Sequence, residues 1–332
     1  MRRKIVMVLL AAALTASLVI SGCSKQGSET TKVRIGEVTR SLFYAPQYVA
    51  IEKGFFKDEG IEVELTTTPG GDKTMTALLS GVVDVALVGS ETSIYVHQQG
   101  ADDEVINFAQ LTQTDGTFLV ARQKDDSFDW SKLKGSVFLG QRVGGMPQMV
   151  GEFALKKNNI QPHDDLELIQ NVDFGNIPAA FASGTGDYVQ LFEPTASIFE
   201  REGTGYVIAS FGTESGNLPY TVFMAKESYL KKNNAVVQSF TNAVYKAQQW
   251  VEENDAAAIA KVVAPYFDGV DEDIMISSID RYKQQGSYSL DPIIDEQEWN
   301  NLLDVMESAG ELKTRVEHNK IVNLTYARKA LE

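Results

Sequence analysis

The chain has 332 residues, 43% hydrophobic and 23% charged, with a formal net charge of -15. That length buries a sizeable core in one or two domains, and that composition is ordinary for a soluble globular protein. So acidic a balance argues against nucleic acid as a partner, because phosphate binding needs basic patches that displace counterions.

Arg2, Arg3 and Lys4 form a positive start, and Ile5 to Ile20 is an apolar run of signal-peptide length, short for a spanning helix. Ile20-Ser21-Gly22-Cys23 resembles the lipoprotein signal pattern. The resemblance implies removal of residues 1–22 and lipidation of the Cys23 sulfur. The alternatives are an ordinary signal peptide or an uncleaved anchor with Cys23 incidental. Residues 23–31 are polar and small, which suits a flexible tether. The expected location is extracytoplasmic, lipid-anchored to a bacterial cell membrane. Cys23 is the only cysteine, so neither a disulfide framework nor a thiolate metal site is readable. His97, His163 and His318 lie far apart. No metal and no cofactor is expected.

Lys32 to Val38 reads as a short strand. Tyr44, Tyr48, Ile51 and Phe55 then recur at helical spacing, and Ile61, Val63 and Leu65 alternate with Glu62 and Glu64. This is a βαβ unit, and the crevice at the strand ends of such units is where α/β sheets bind small ligands. Gly70-Gly71-Asp72 opens a helix from Lys73 to Ser80, with Asp72 as N-cap. Asp84 to Val88 is a buried strand, and Gly89-Ser90-Glu91-Thr92 opens the next helix. Val105 to Leu111 and Thr117 to Ala121 read as strands. From Val137 a second series repeats the first in kind. A strand leads through Gly144-Gly145-Met146-Pro147 into a helix ending near Lys157. Leu166 to Gln170, Tyr188 to Phe192, Tyr206 to Ser210 and a returning Tyr220 to Ala225 are strands, with a short helix over Ile177 to Ser183. Helices over Val236 to Glu253, Ala256 to Ala264, Asp271 to Gln284 and Asp295 to Ala309 end the chain. The expected fold is α/β, with two lobes that each hold a mixed sheet flanked by helices.

The stretch Ser41 to Leu65, SLFYAPQYVAIEKGFFKDEGIEVEL, resembles the opening of the substrate-binding proteins of ABC importers. The subfamily is the one serving sulfonates, nitrate and thiamine pyrimidine precursors. The resemblance continues through Gly70-Gly71-Asp72, Leu78 to Ala86 and Phe192-Glu193-Pro194, and covers about residues 32 to 310. It implies the type II periplasmic-binding-protein fold, with a ligand cleft between lobes. It places lobe 1 at residues 32–116 plus 221–332 and lobe 2 at 117–220. Crossings fall near Thr112 to Thr117 and Gly212 to Tyr220, where Gly116, Gly212 and Gly216 are candidate hinge residues. It also implies C-terminal helices packed on lobe 1. The implied partners are a small-molecule ligand and an ABC permease with its cytoplasmic ATPase, and the protein is expected to be a monomer.

Loops that open helices at strand ends offer free N–H groups to an anion or an acceptor-rich ligand. Four are readable: Ser41 to Ala45, Gly70 to Asp72, Gly89 to Glu91 with Ser90, and Gly144-Gly145-Met146. Each glycine is equally readable as turn punctuation. Arg142 is placed to fork onto a sulfonate, carboxylate or phosphate, or to face solvent. Phe43 and Tyr44 are candidates for stacking on a ring, with core packing as the alternative for one of them. Glu91, Asp173 and Glu193 suit N–H or hydroxyl donors. Many members of the resembling family carry a tryptophan-acid-proline run where this chain has Phe192-Glu193-Pro194. Three acids with aromatics outweigh one arginine, so the reading leans to a heterocycle such as a thiamine pyrimidine precursor. An alkanesulfonate, nitrate or another small anion is the alternative, and an extracytoplasmic enzyme acting on a small heterocycle the rival of another class. Lys73-Thr74 follows Asp72 rather than a glycine, which breaks the phosphate-loop spacing. No catalytic residue is expected.

Overall fold

The computed structural model describes residues 30–332; the expected signal peptide, most of the expected tether and the expected lipidation site Cys23 lie outside the described residues. Ten strands form two sheets. They are β1 (Thr31–Glu37), β2 (Ile61–Thr67), β3 (Val85–Gly89), β4 (Val105–Thr112), β5 (Thr117–Ala121), β6 (Val137–Leu139), β7 (Glu167–Ile169), β8 (Tyr188–Phe192), β9 (Tyr206–Ser210) and β10 (Thr221–Lys226). The strand orders are β2-β1-β3-β10-β4 and β7-β6-β8-β5-β9. In each sheet four strands point the same way and one antiparallel strand is inserted among them: β10 between β3 and β4, β5 between β8 and β9. The chain leaves the first sheet after Thr112 and returns at Thr221. This is a two-lobe type II binding-protein fold with two mixed sheets flanked by helices.

The helices of eight or more residues are numbered here. They are α1 (Ala45–Glu52), α2 (Gly71–Leu79), α3 (Glu91–Gln98), α4 (Met146–Lys157), α5 (Thr195–Glu202), α6 (Asn234–Glu253), α7 (Ala256–Val263), α8 (Glu272–Gln285) and α9 (Glu296–Ser308). The apolar stripe of α6 forms as its spacing predicts. Val237, Phe240, Val244, Ala247 and Val251 are buried, and the helix packs on α1 and β4 of the first lobe. Two further helices depart from the expectation. Helix α8 also meets α5, and α9 meets α4, both in the second lobe. Specific side chains make these bridges: Arg281 on α8 reaches Glu193 and Glu200, and Lys156 on α4 reaches the Ser308 carbonyl.

Asp72 is not the N-cap of α2. Gly70 holds that position at φ 109°, and Asp72 sits in the first turn, where its carboxylate pairs with Arg142. Gly212 is a packing position. It lies in a short helix, Phe211–Ser215, and a Cβ there would meet the Asp115 carbonyl oxygen at 2.4 Å and Gln285 Nε2 at 2.1 Å. The two crossing segments thus touch with no space for a methyl group. Gly212→Ala is expected to destabilise by about 1–3 kcal/mol, the usual range for overpacking, read as a lower urea midpoint at unchanged slope. An unchanged midpoint would show that the crossings yield freely.

Candidate functional site

A cavity of about 380 Å³ lies between the lobes at the strand ends. Its first-lobe walls are Tyr44, the Gly70-Gly71 turn, α2 and α3. Its second-lobe walls are Gln141 to Pro147, Phe174 and Phe192, and Tyr220 and Thr221 close the side where the chain crosses back. Of the residues singled out from sequence, Tyr44, Gly70, Gly71, Glu91, Arg142, Gly144, Gly145 and Met146 line it.

Four others stand elsewhere. Phe43 is fully buried behind the cavity and packs against the rings of Tyr44, Phe192, Tyr220 and Tyr282. Ser90 is buried, and its hydroxyl donates to the Pro219 carbonyl. Asp173 is mostly exposed, 4.0 Å from Arg142 Nη1, and is not part of the wall. Glu193 is buried, but its carboxylate is occupied. It pairs with Arg281, accepts from the Ser197 amide and hydroxyl at 2.9 Å each, and accepts from the Ser278 hydroxyl at 3.3 Å. Neighbours in a strand point to opposite faces, so Phe192 faces the cavity and Glu193 does not.

Glu91 is the central group. It opens α3 at the end of β3 and is 3% exposed. Gly89 leaves room for its carboxyl to fold back: a Cβ at Gly89 would lie 2.1 Å from Glu91 Oε2. Oε1 accepts from the Met146 amide at 3.2 Å, across the cleft, and Oε2 has no hydrogen-bond partner among the described residues. Burial pushes this carboxyl up to about 7, with its backbone hydrogen bonds opposing the shift.

One more cavity group, Gln141 Oε1, lacks a partner among the described residues, whereas the Tyr220 hydroxyl is turned to the buried Asp115 carboxyl. Gln141 Nε2 is used, donating to the Gln190 carbonyl at 2.7 Å. An unpaired buried polar atom is costly, so Glu91 Oε2 and Gln141 Oε1 at one cavity wall call for hydrogen-bond partners. Gln141 Oε1 accepts only, and so does Glu91 Oε2 once its carboxyl is ionised. Several cationic or N–H-bearing features are engaged within the chain. Arg142 pairs with Asp72 at 2.9 Å. At the start of α4, the Gly144 amide donates to Gln148 Oε1 at 3.0 Å, and the Met146 amide is taken by Glu91. Among the described residues no group of three or more His, Cys, Asp or Glu side chains could hold a metal ion.

Sequence reading missed Gln141, Tyr220, Tyr95, Phe174 and Thr92 on the wall. Gln141 had a signal, since it directly precedes Arg142 after β6. Tyr220 had one as the last residue before β10. Phe174 had none: it opens a single 3₁₀ turn, Phe174–Asn176, too short to show a periodic pattern.

The profile of the NMT1-like family matches residues 26–264. A Bacillus subtilis (strain 168) protein, YtlA, whose name assigns binding only provisionally, is 61% identical over 305 residues, 92% of this chain and 91% of its own. The formylaminopyrimidine-binding protein of Halalkalibacterium halodurans is 26% identical over 269 residues, 77% of each chain. The periplasmic nitrate-binding protein NrtA of Synechocystis PCC 6803 superposes with a TM-score of 0.75 at 18% identity, covering 91% of this chain and 88% of that one, a likeness of fold. With its profile spanning most of the sequence and a relative this similar along almost its whole length, the chain belongs to the NMT1-like family.

Proposed function

We propose that this protein is the extracytoplasmic solute-binding component of an ABC importer, tethered by lipid at Cys23, and that its ligand is a small heterocycle presenting N–H donors. The single observation that carries the ligand class is Glu91: a buried carboxyl in the interlobe cavity with one oxygen unpartnered. Gln141 Oε1 adds a second waiting acceptor, and Tyr44, Phe174, Phe192 and Tyr220 supply ring faces. The formylaminopyrimidine-binding relative names a ligand of this chemistry. The anion alternative loses support because Asp72 neutralises Arg142 and Glu91 caps α4. In this reading the ligand bridges the lobes, favours their closed arrangement, and presents that state to the permease as a monomer.

A thermal-shift panel tests the reading. A ligand at a hundred times its dissociation constant adds about 2.7 kcal/mol to stability. A 4-amino-2-methylpyrimidine is expected to raise Tm, and ethanesulfonate and nitrate to leave it unchanged. Stabilisation by the anions alone would overturn the ligand class.

A second reading, an enzyme acting on the same molecules, is favoured by one feature: a carboxyl pushed to about 7 inside a cavity suits a general acid or base. Recovery of the bound heterocycle chemically unchanged after long incubation is expected. Turnover would favour the enzyme.

A further inference from the structure

The cavity does not end at the helix N-termini. Gly71, Met75 and Leu79 line it at successive turns of α2, and Glu91, Tyr95 and Gln99 do so along α3 and just past its end. Eight residues of helix rise about 12 Å, so both walls run about that far out from the strand ends. The two ends differ in chemistry. The inner end holds the unpartnered oxygens of Glu91 and Gln141. Beyond the first helical turns the wall is Met75, Leu79, Tyr95 and Val96, with Gln99 just past the end of α3. Leu79 is 43% exposed, so apolar surface stands open to water at this end. A single small ring does not reach it, and 380 Å³ falls in the range of drug-sized ligands.

We infer that the ligand is bipartite: an N–H-donating head seated on Glu91 and Gln141, and an apolar arm lying between α2 and α3 toward Leu79. This rests on the reading of Glu91 given above and extends it to the substituent the head carries. The arm dries Met75, Val96 and the exposed part of Leu79, and each buried methylene contributes about 0.8 kcal/mol, or about fourfold in affinity.

The test is calorimetric titration of the purified protein with 4-aminopyrimidines bearing straight 5-alkyl chains of one, three and five carbons. Affinity is expected to rise about fourfold per added methylene. Leu79→Glu changes an exposed side chain, so folding is retained. That variant is expected to lose at least tenfold of the gain that wild type shows between the one-carbon and five-carbon compounds. A flat series with the one-carbon compound bound overturns the arm and leaves the proposed function standing. Equal gains in wild type and Leu79→Glu also overturn the arm, because the tail then lies elsewhere. Failure of every member to bind overturns the N–H-donor reading and this inference with it.

Discussion

Glu91→Gln is expected to weaken binding of an aminopyrimidine by about 10–100-fold and to stabilise the unliganded protein at pH 8. The binding loss, read at pH 8 where the carboxyl is ionised, follows from exchanging a charged acceptor for a neutral one, since hydrogen bonds to charged groups contribute about 1.5–3 kcal/mol. The stability gain follows from burial. The Glu91 carboxyl is raised from its ordinary 4.5 to about 7, so the folded protein holds that proton to higher pH than the unfolded chain. Its favourable contribution is complete below about 4.5 and is lost as pH rises through about 7, where the chain must bury an ionised carboxylate. At 1.36 kcal/mol per unit the penalty at pH 8 is on the order of 3 kcal/mol. Glutamine keeps an oxygen for the Met146 amide and carries no charge. Thermal melts of both proteins are expected to differ at pH 8 and to converge at pH 5. Asp115, which burial pushes up to about 6, contributes to both proteins alike and cancels in the comparison. Unchanged melts at pH 8 together with intact binding would contradict this role for Glu91.

Arg281→Met is expected to cost about 3–5 kcal/mol, the usual result of leaving a buried charge unpaired. Glu193 is 1% exposed, and Arg281 is its only cationic partner among the described residues. The same guanidinium pairs with Glu200 at 2.7 Å and so ties α8 to α5 of the second lobe. The neighbouring Tyr282 hydroxyl accepts from the Glu193 amide and donates to the Gly116 carbonyl, both at 3.0 Å. This region therefore fixes the backbone that presents Phe192 to the cavity. A large fall in the urea midpoint is expected, with partial recovery in the Arg281→Met, Glu193→Gln double variant, which no longer buries a charge. A fall below about 1 kcal/mol would mean that the pair is solvated and does not hold the lobe.

The strand and helix order was legible because its cues are local. The alternation of Ile61, Val63 and Leu65 and the stripe Val237 to Val251 each appear in the structure where their periodicity places them. The cavity wall was half legible for the same reason: Tyr44, Gly70, Gly71, Glu91 and Met146 all sit at strand-to-helix turns, which punctuation marks. What the sequence did not show is which of two neighbours faces the cavity. Phe43 and Tyr44, like Phe192 and Glu193, divide between core and cavity by backbone direction. Nor does a sequence show that an arginine is already paired. Arg142 and Asp72 are 70 positions apart and meet only once the lobes are folded. The partner of Glu193 is similarly remote, because Arg281 lies 88 positions later. Helix α5 was missed because it follows directly on Phe192-Glu193-Pro194, which reads as a turn.

A crystal structure with 4-amino-2-methylpyrimidine bound tests the central claim most directly. The ring is expected between the lobes, with its N–H donors within about 3.2 Å of Glu91 Oε2 and Gln141 Oε1. A ligand bound outside this cavity, or one whose N–H groups turn away from Glu91, would contradict it.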